Sequence, residues 1–136
     1  MKKTKHGDYE RTVCFPIWSD YEVKIVFCED LGKARKARYG TSGASDNATA
    51  LHTQSVNGTS HLFFIIGNCP TGVVAHECWH AIKAMLIEWA GVSDLDNETV
   101  AYHLGYLVQK VADFRNDLID AKIMPQILGV KSKRKG

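Results

Sequence analysis

The sequence contains no hydrophobic run long enough to cross a bilayer. A membrane-spanning helix needs about 20 consecutive apolar residues, whereas the longest apolar run here covers only Leu62 to Gly67. The basic N-terminal residues are not followed by an apolar segment of signal-peptide length. We therefore expect a cytoplasmic protein that has no membrane partner.

Proline, net charge and sequence repeats are also scarce. Only 3 prolines interrupt 136 residues, which argues against long disordered tracts, and a net charge of +2 implies no particular partner. The apolar and charged fractions, 45% and 24%, are ordinary for a globular protein. This length suits one domain, which we place at residues 1–130, followed by a basic, disordered tail at 131–136.

The cysteines show no paired spacing. The sequence has 4 of them, and no two form a C-x-x-C motif. A cysteine-based zinc knot and a dithiol redox centre are therefore not expected. We expect these residues to be reduced thiols, most of them buried as small apolar side chains.

Several segments have the patterns of β-strands. Residues 21–28 alternate polar and apolar side chains, and 11–17 form a weaker strand that Pro16 would restrict to an edge or a bend. Segments 48–56 and 59–66 flank Asn57-Gly58, a dipeptide that favours a type I′ hairpin turn with positive φ at both positions. The sequence therefore predicts a sheet of 3–4 strands that contains a hairpin.

Three segments have helical patterns. Residues 29–39 end at Gly40, 72–89 end at Gly91, and a third helix runs from Glu98 to about Ile119 after a polar linker. Together with the strands, this order predicts an α+β domain with an early helix and two consecutive helices, all packed on one face of the sheet.

The second predicted helix carries His76-Glu77-Cys78-Trp79-His80, which matches H-E-x-x-H. Residues four apart share one helix face, so His76 and His80 can direct their ring nitrogens at one Zn²⁺ ion. Glu77 is offset by one residue, and from there it can accept a proton from a metal-bound water and later protonate the leaving amine. The motif predicts a catalytic zinc site with Glu77 as the general base.

A catalytic zinc usually has three protein ligands. Glu98 is the favoured third ligand, because it opens the next helix 18 residues after His80. Asp94, Asp96 and His103 compete, although the aspartates suit helix capping and His103 lies about 140° around the helix from Glu98.

His76-Glu77-x-x-His80 followed by Glu98-x-x-Ala101 resembles the gluzincin class of zinc peptidases over about residues 70–110. The resemblance implies a small zincin-like domain made of a sheet, a motif helix and a glutamate-bearing helix. It also implies that His76, His80 and Glu98 bind the metal and that Glu77 is the base. Thermolysin-like members have an aspartate four residues after the glutamate ligand, whereas this chain has Tyr102.

The expected function is a zinc-dependent metalloprotease that hydrolyses polypeptides. Tyr102 is favoured as the donor to the transition-state oxyanion because it shares a face with Glu98, with His103 and Tyr106 as alternatives. A non-catalytic zinc-binding partner or regulatory module is the alternative function. Nucleic-acid binding through the basic residues of segment 29–39 and of the Lys131 to Lys135 tail is a third hypothesis, although the sequence has no recognised reader motif. The sequence does not indicate an oligomeric state.

Overall fold

The structure is a computed structural model, and it describes residues 1–18, 20–43, 48–55, 57–92 and 97–125. Four strands are present: β1 (Tyr9–Cys14), β2 (Glu22–Cys28), β3 (Ala50–Ser55) and β4 (Thr59–Ile65). The helices are α1 (Leu31–Tyr39), α2 (Thr71–Lys83) and α3 (Asn97–Asp120), and α2 continues into a π-helical segment (Ala84–Trp89). The predicted α+β class and the approximate positions of the elements are confirmed.

The four strands form one mixed sheet in the order β1-β2-β4-β3. β2 and β4 are parallel neighbours at the centre, while β1 and β3 pair antiparallel at the two edges. Central strands covered on both faces are expected to be apolar throughout, and Val26 and Phe63 at paired central positions are both fully buried. α2 contacts the edge strand β3, whereas α3 contacts the opposite edge strand β1.

The helices lie on both faces of the sheet, so the prediction of a single covered face is wrong for α1. Leu31 and Ala34 of α1 pack with Val26, Cys28 and Phe63 in a small cluster. The larger core lies on the other face, between the sheet and the α2 and α3 helices. Both faces are covered because successive β2 and β4 residues point in opposite directions and are apolar on both sides.

The β3-β4 hairpin is present, but its turn differs from the predicted type I′ turn. Ser55 pairs with Thr59, so three residues connect the strands. Gly58 has a φ of +84°, whereas Asn57 is not among the positive-φ residues. A three-residue hairpin that ends on a left-handed glycine is a common alternative to the two-residue turn. This extra residue sets the register of β3.

The predicted ends of the first two helices are confirmed. Gly40 adopts a φ of +83° at the end of α1, and Gly91 adopts +72° after the π-helical segment. No helix in the described ranges is both long and apolar enough to cross a membrane. The predicted tail at 131–136 lies outside the described residues.

Candidate metal centre

His76 and His80 lie one turn apart on the exposed face of α2, and their imidazole rings converge. Their Nε2 atoms are 3.2 Å apart, and the rings meet edge to face with centroids 4.7 Å apart. Zinc–nitrogen bonds of about 2.0–2.1 Å would subtend an angle of roughly 100–106° across this separation, which is close to tetrahedral. The separation of the two nitrogens is therefore compatible with a shared zinc ion.

Glu77 and Cys78 lie between the two histidines in sequence but face different surroundings. The Glu77 side chain is 12% exposed, and its Oε2 lies 3.9 Å from Nε2 of His76. Cys78 points into the core, where burial raises the pKa of its thiol to about 12. Glu77 therefore borders the histidine pair, while Cys78 is a protonated packing group, as expected.

Trp79, which lies between the two histidines in sequence, is a surface residue. Its side chain is 36% exposed. Three residues after His76, it shares the open face of α2 with the histidine pair. An aromatic surface therefore lies beside the candidate metal ligands.

His52 of β3 lies next to the histidine pair. Its ring is almost parallel to that of His80, at 13°, with centroids 6.1 Å apart. The His52 Nε2 lies 2.9 Å from the Ser60 hydroxyl, which is 2.5 Å from the hydroxyl of Tyr21. Burial is the main cause that lowers the pKa of His52 to about 4. A neutral, hydrogen-bonded imidazole therefore borders the candidate metal site.

His61, the other hairpin histidine, faces away from this site. It pairs with Thr53, one position along from the His52–Leu62 pair, and therefore points to the α1 face. Its Nδ1 lies 2.6 Å from the Tyr39 hydroxyl. His61 is therefore a structural residue on the opposite side of the sheet.

The residues predicted on α3 occupy different environments. Glu98 is exposed in the first turn of the helix, and Tyr102 is 53% exposed with its ring against His103. His103 is buried, and its Nδ1 lies 2.7 Å from the Thr99 carbonyl oxygen. Tyr106 lies against Phe15, with its hydroxyl 3.5 Å from the Cys14 carbonyl. Of these residues, Glu98 and Tyr102 are the ones whose side chains are open to solvent.

Among the described residues, no group of three His, Cys, Asp or Glu side chains is close enough to hold a metal ion. Within that part of the chain, no third ligand therefore lies beside the histidine pair. Asp94 and Asp96 lie outside the described residues. Glu98 and the competing ligands therefore stay predictions.

The basic residues of α1 are partly engaged within the protein. Arg38 forms a buried bidentate ion pair with Asp8, with nitrogen–oxygen distances of 2.7 and 2.8 Å. Arg35 donates to the Thr53 hydroxyl and to Thr41. Lys33 and Lys36 are exposed, so two of the four basic side chains of the helix are directed to solvent.

No known protein family, curated protein or solved structure matches this chain.

Proposed function

We propose that this chain is a zinc-dependent peptidase in which His76 and His80 hold the metal ion and Glu77 transfers protons. The observation that carries the proposal is the 3.2 Å separation of the two Nε2 atoms on an open helix face. Two imidazole nitrogens at this separation can bind one metal ion as a chelating pair.

When bound, zinc supplies a Lewis acid that polarises a peptide carbonyl and makes water more acidic. Glu77 would accept a proton from the attacking water; the proposal is supported by the 3.9 Å distance between its Oε2 and Nε2 of His76. The water oxygen then bonds to the carbonyl carbon, the carbon–nitrogen bond breaks, and Glu77 returns the proton to the leaving amine.

Glu98 is the proposed third ligand. Its carboxyl group is exposed at the start of α3, and α3 packs against α2. His103 is less suitable, because its ring is 2% exposed and one nitrogen already contacts the Thr99 carbonyl. Tyr102 stays the favoured oxyanion donor, since its ring is exposed one helical turn beyond Glu98.

The substrate class that we propose is an extended polypeptide. β3 is an edge strand of the sheet, and it contacts the helix that carries both histidines. The unpaired backbone of an edge strand can bind an extended chain by adding a strand to the sheet. A peptide bound there would pass His52 and lie close to the proposed metal ligands.

The test compares cleavage of a peptide library by the wild type and by Glu77→Gln, each loaded with zinc. We expect cleavage by the wild type and a loss of at least about 100-fold in the variant, which keeps both histidines but lacks the proton acceptor. Glu29→Gln removes an exposed carboxylate elsewhere and should cleave normally. Equal cleavage by wild type and Glu77→Gln would contradict the role of Glu77. Zinc binding without cleavage in either would favour the alternative, a non-catalytic zinc-binding module.

A further inference from the structure

A cavity of about 230 Å³ opens beside the proposed catalytic helix, between β3 and the π-helical segment. It is lined by Tyr21, Gln54, Ser55, Ala84, Glu88 and Trp89. This volume is below the about 300–1,000 Å³ of typical small-molecule sites. Its size therefore suits one side chain of a larger ligand.

The cavity is adjacent to the histidine pair along both elements that border it, the β3 strand and the helix formed by α2 and its π-helical continuation. Ala84 follows His80 by four residues, a rise of about 6 Å along the helix. Gln54 follows His52 by two residues on the same face of β3, a distance of about 6.8 Å. Side chains on one side of an extended peptide are also about 6.8 Å apart. A peptide on the β3 edge with its backbone at the histidines would therefore present a neighbouring side chain to the cavity.

The lining combines aromatic rings with one carboxyl group. The Tyr21 and Trp89 rings lie 5.4 Å apart with an interplanar angle of 59°. Tyr21 is buried, whereas Trp89 is 40% exposed, so the rings form a base and an open wall. Aromatic faces attract cations, and the attraction grows when the cation is desolvated.

Glu88 supplies the only charge among the six lining residues. One of its oxygens, Oε2, accepts a hydrogen bond from the Gln54 amide, which orients the carboxylate. Among the residues that the structure describes, no hydrogen bond engages its other oxygen, Oε1. The lining contains no basic residue that would neutralise this carboxylate.

We infer that this cavity binds the cationic side chain of a lysine or arginine in the polypeptide substrate, within about two residues of the cleaved bond. The Glu88 carboxylate pairs with the cation, while Tyr21 and Trp89 contact its aliphatic stem and its charge. The inference rests on the proposed peptidase function and specifies its substrate.

The first test uses capped, alanine-rich octapeptides in which a single lysine, or its uncharged counterpart norleucine, occupies each position in turn. For the wild type, we expect one lysine position to raise kcat/KM about 10- to 100-fold over norleucine, the range for a hydrogen bond to a charged group. Glu88→Gln should remove this preference, because glutamine can still accept the Gln54 bond but carries no charge to pair with the cation. Glu29→Gln, the charge-matched control, should retain the preference.

A second measurement tests peptide binding in the cavity independently of cleavage. Calorimetry with the Glu77→Gln variant, alone or combined with Glu88→Gln, measures binding of the same lysine and norleucine peptides without cleavage. Lysine-selective binding that needs Glu88 would support the cavity even if the wild type cleaved nothing, in which case only the peptidase proposal would fail. Cleavage or binding without a lysine preference, or a preference that survives Glu88→Gln, would overturn the inference.

Discussion

The stability of the protein should fall on acidification because His61 is held neutral in the folded chain. The ring lies under α1, with Nδ1 2.6 Å from the Tyr39 hydroxyl and the two rings edge to face. Burial, followed by the charges of Arg38 and Lys24, lowers the pKa of His61 from 6.5 to about 4. Burial also raises the pKa of Tyr39 to about 12, so the phenol stays protonated beside the ring.

The direction of this pH dependence follows from which state, folded or unfolded, binds the proton at the higher pH. Between about pH 6.5 and 4 the unfolded chain protonates His61 while the folded chain does not, so protons favour unfolding. The stability that the neutral His61 ring contributes is complete above about pH 6.5. It decreases as the pH falls below that value and is fully lost once the pH has fallen through about 4. At 1.36 kcal/mol per pH unit this range corresponds to about 3 kcal/mol, and partial solvent access reduces the expected loss to about 2 kcal/mol.

The assay is urea unfolding of the wild type and of His61→Gln at about pH 7 and about pH 4.5, an interval over which the unfolded chain protonates His61 while most of the folded chain does not. His52 also has a pKa lowered to about 4 and contributes to the wild-type dependence. The informative quantity is therefore the difference between the two proteins. Glutamine retains an acceptor for Tyr39 and should weaken the pH dependence by about 2 kcal/mol, whereas His6→Gln, at an exposed position, should not. Equal pH dependence in wild type and His61→Gln would refute the reasoning.

Three other substitutions test separate parts of the structure. Asp8→Asn leaves the buried Arg38 guanidinium with Glu10, at 3.1 Å, as its remaining acidic partner, and should cost about 3 kcal/mol in urea unfolding; a loss below about 1 kcal/mol would show that the pair contributes little. Gly58→Ala should destabilise the protein more than Gly40→Ala. Both glycines have positive φ, but only at Gly58 would the added Cβ meet another side chain, Trp89, whose Nε1 would be 3.0 Å away. Equal decreases in melting temperature would argue against that contact. Glu98→Gln should weaken zinc affinity, measured by chelator competition, by more than the about 10- to 100-fold typical of outer-shell residues, and an unchanged affinity would exclude Glu98 as a ligand.

The helices and strands could be predicted from the sequence because their local sequence patterns agree with the fold. The left-handed glycines Gly40 and Gly91 end their helices as predicted, and H-E-x-x-H brings His76 and His80 together because helix geometry alone sets their spacing. The side of the sheet that α1 covers was not readable in the same way. It depends on long-range packing of Leu31 and Ala34 against Phe63, which no local pattern specifies.

The position of His52 depended on one residue of the hairpin loop. A two-residue turn at Asn57-Gly58 would pair His52 with Phe63 and point it to the α1 face. The observed three-residue loop pairs it with Leu62 and points it to α2. A shift of one residue exchanges the two faces of a strand, so the turn type had to be known before His52 could be placed. The π-helical geometry of Ala84–Trp89, which forms one wall of the cavity, likewise has no clear local signature.

The most direct test of the account is the zinc content of the purified protein. Elemental analysis of the wild type, of His76→Ala and of His80→Ala should show about one zinc per chain in the wild type and little in either variant, since each removes a ligand. His6→Ala serves as the control, because it removes an exposed histidine far from the motif in sequence. Zinc in the wild type and in His6→Ala, and its loss from both motif variants, is the predicted result. No zinc in the wild type after loading, or equal zinc in all four proteins, would contradict the proposed metal centre.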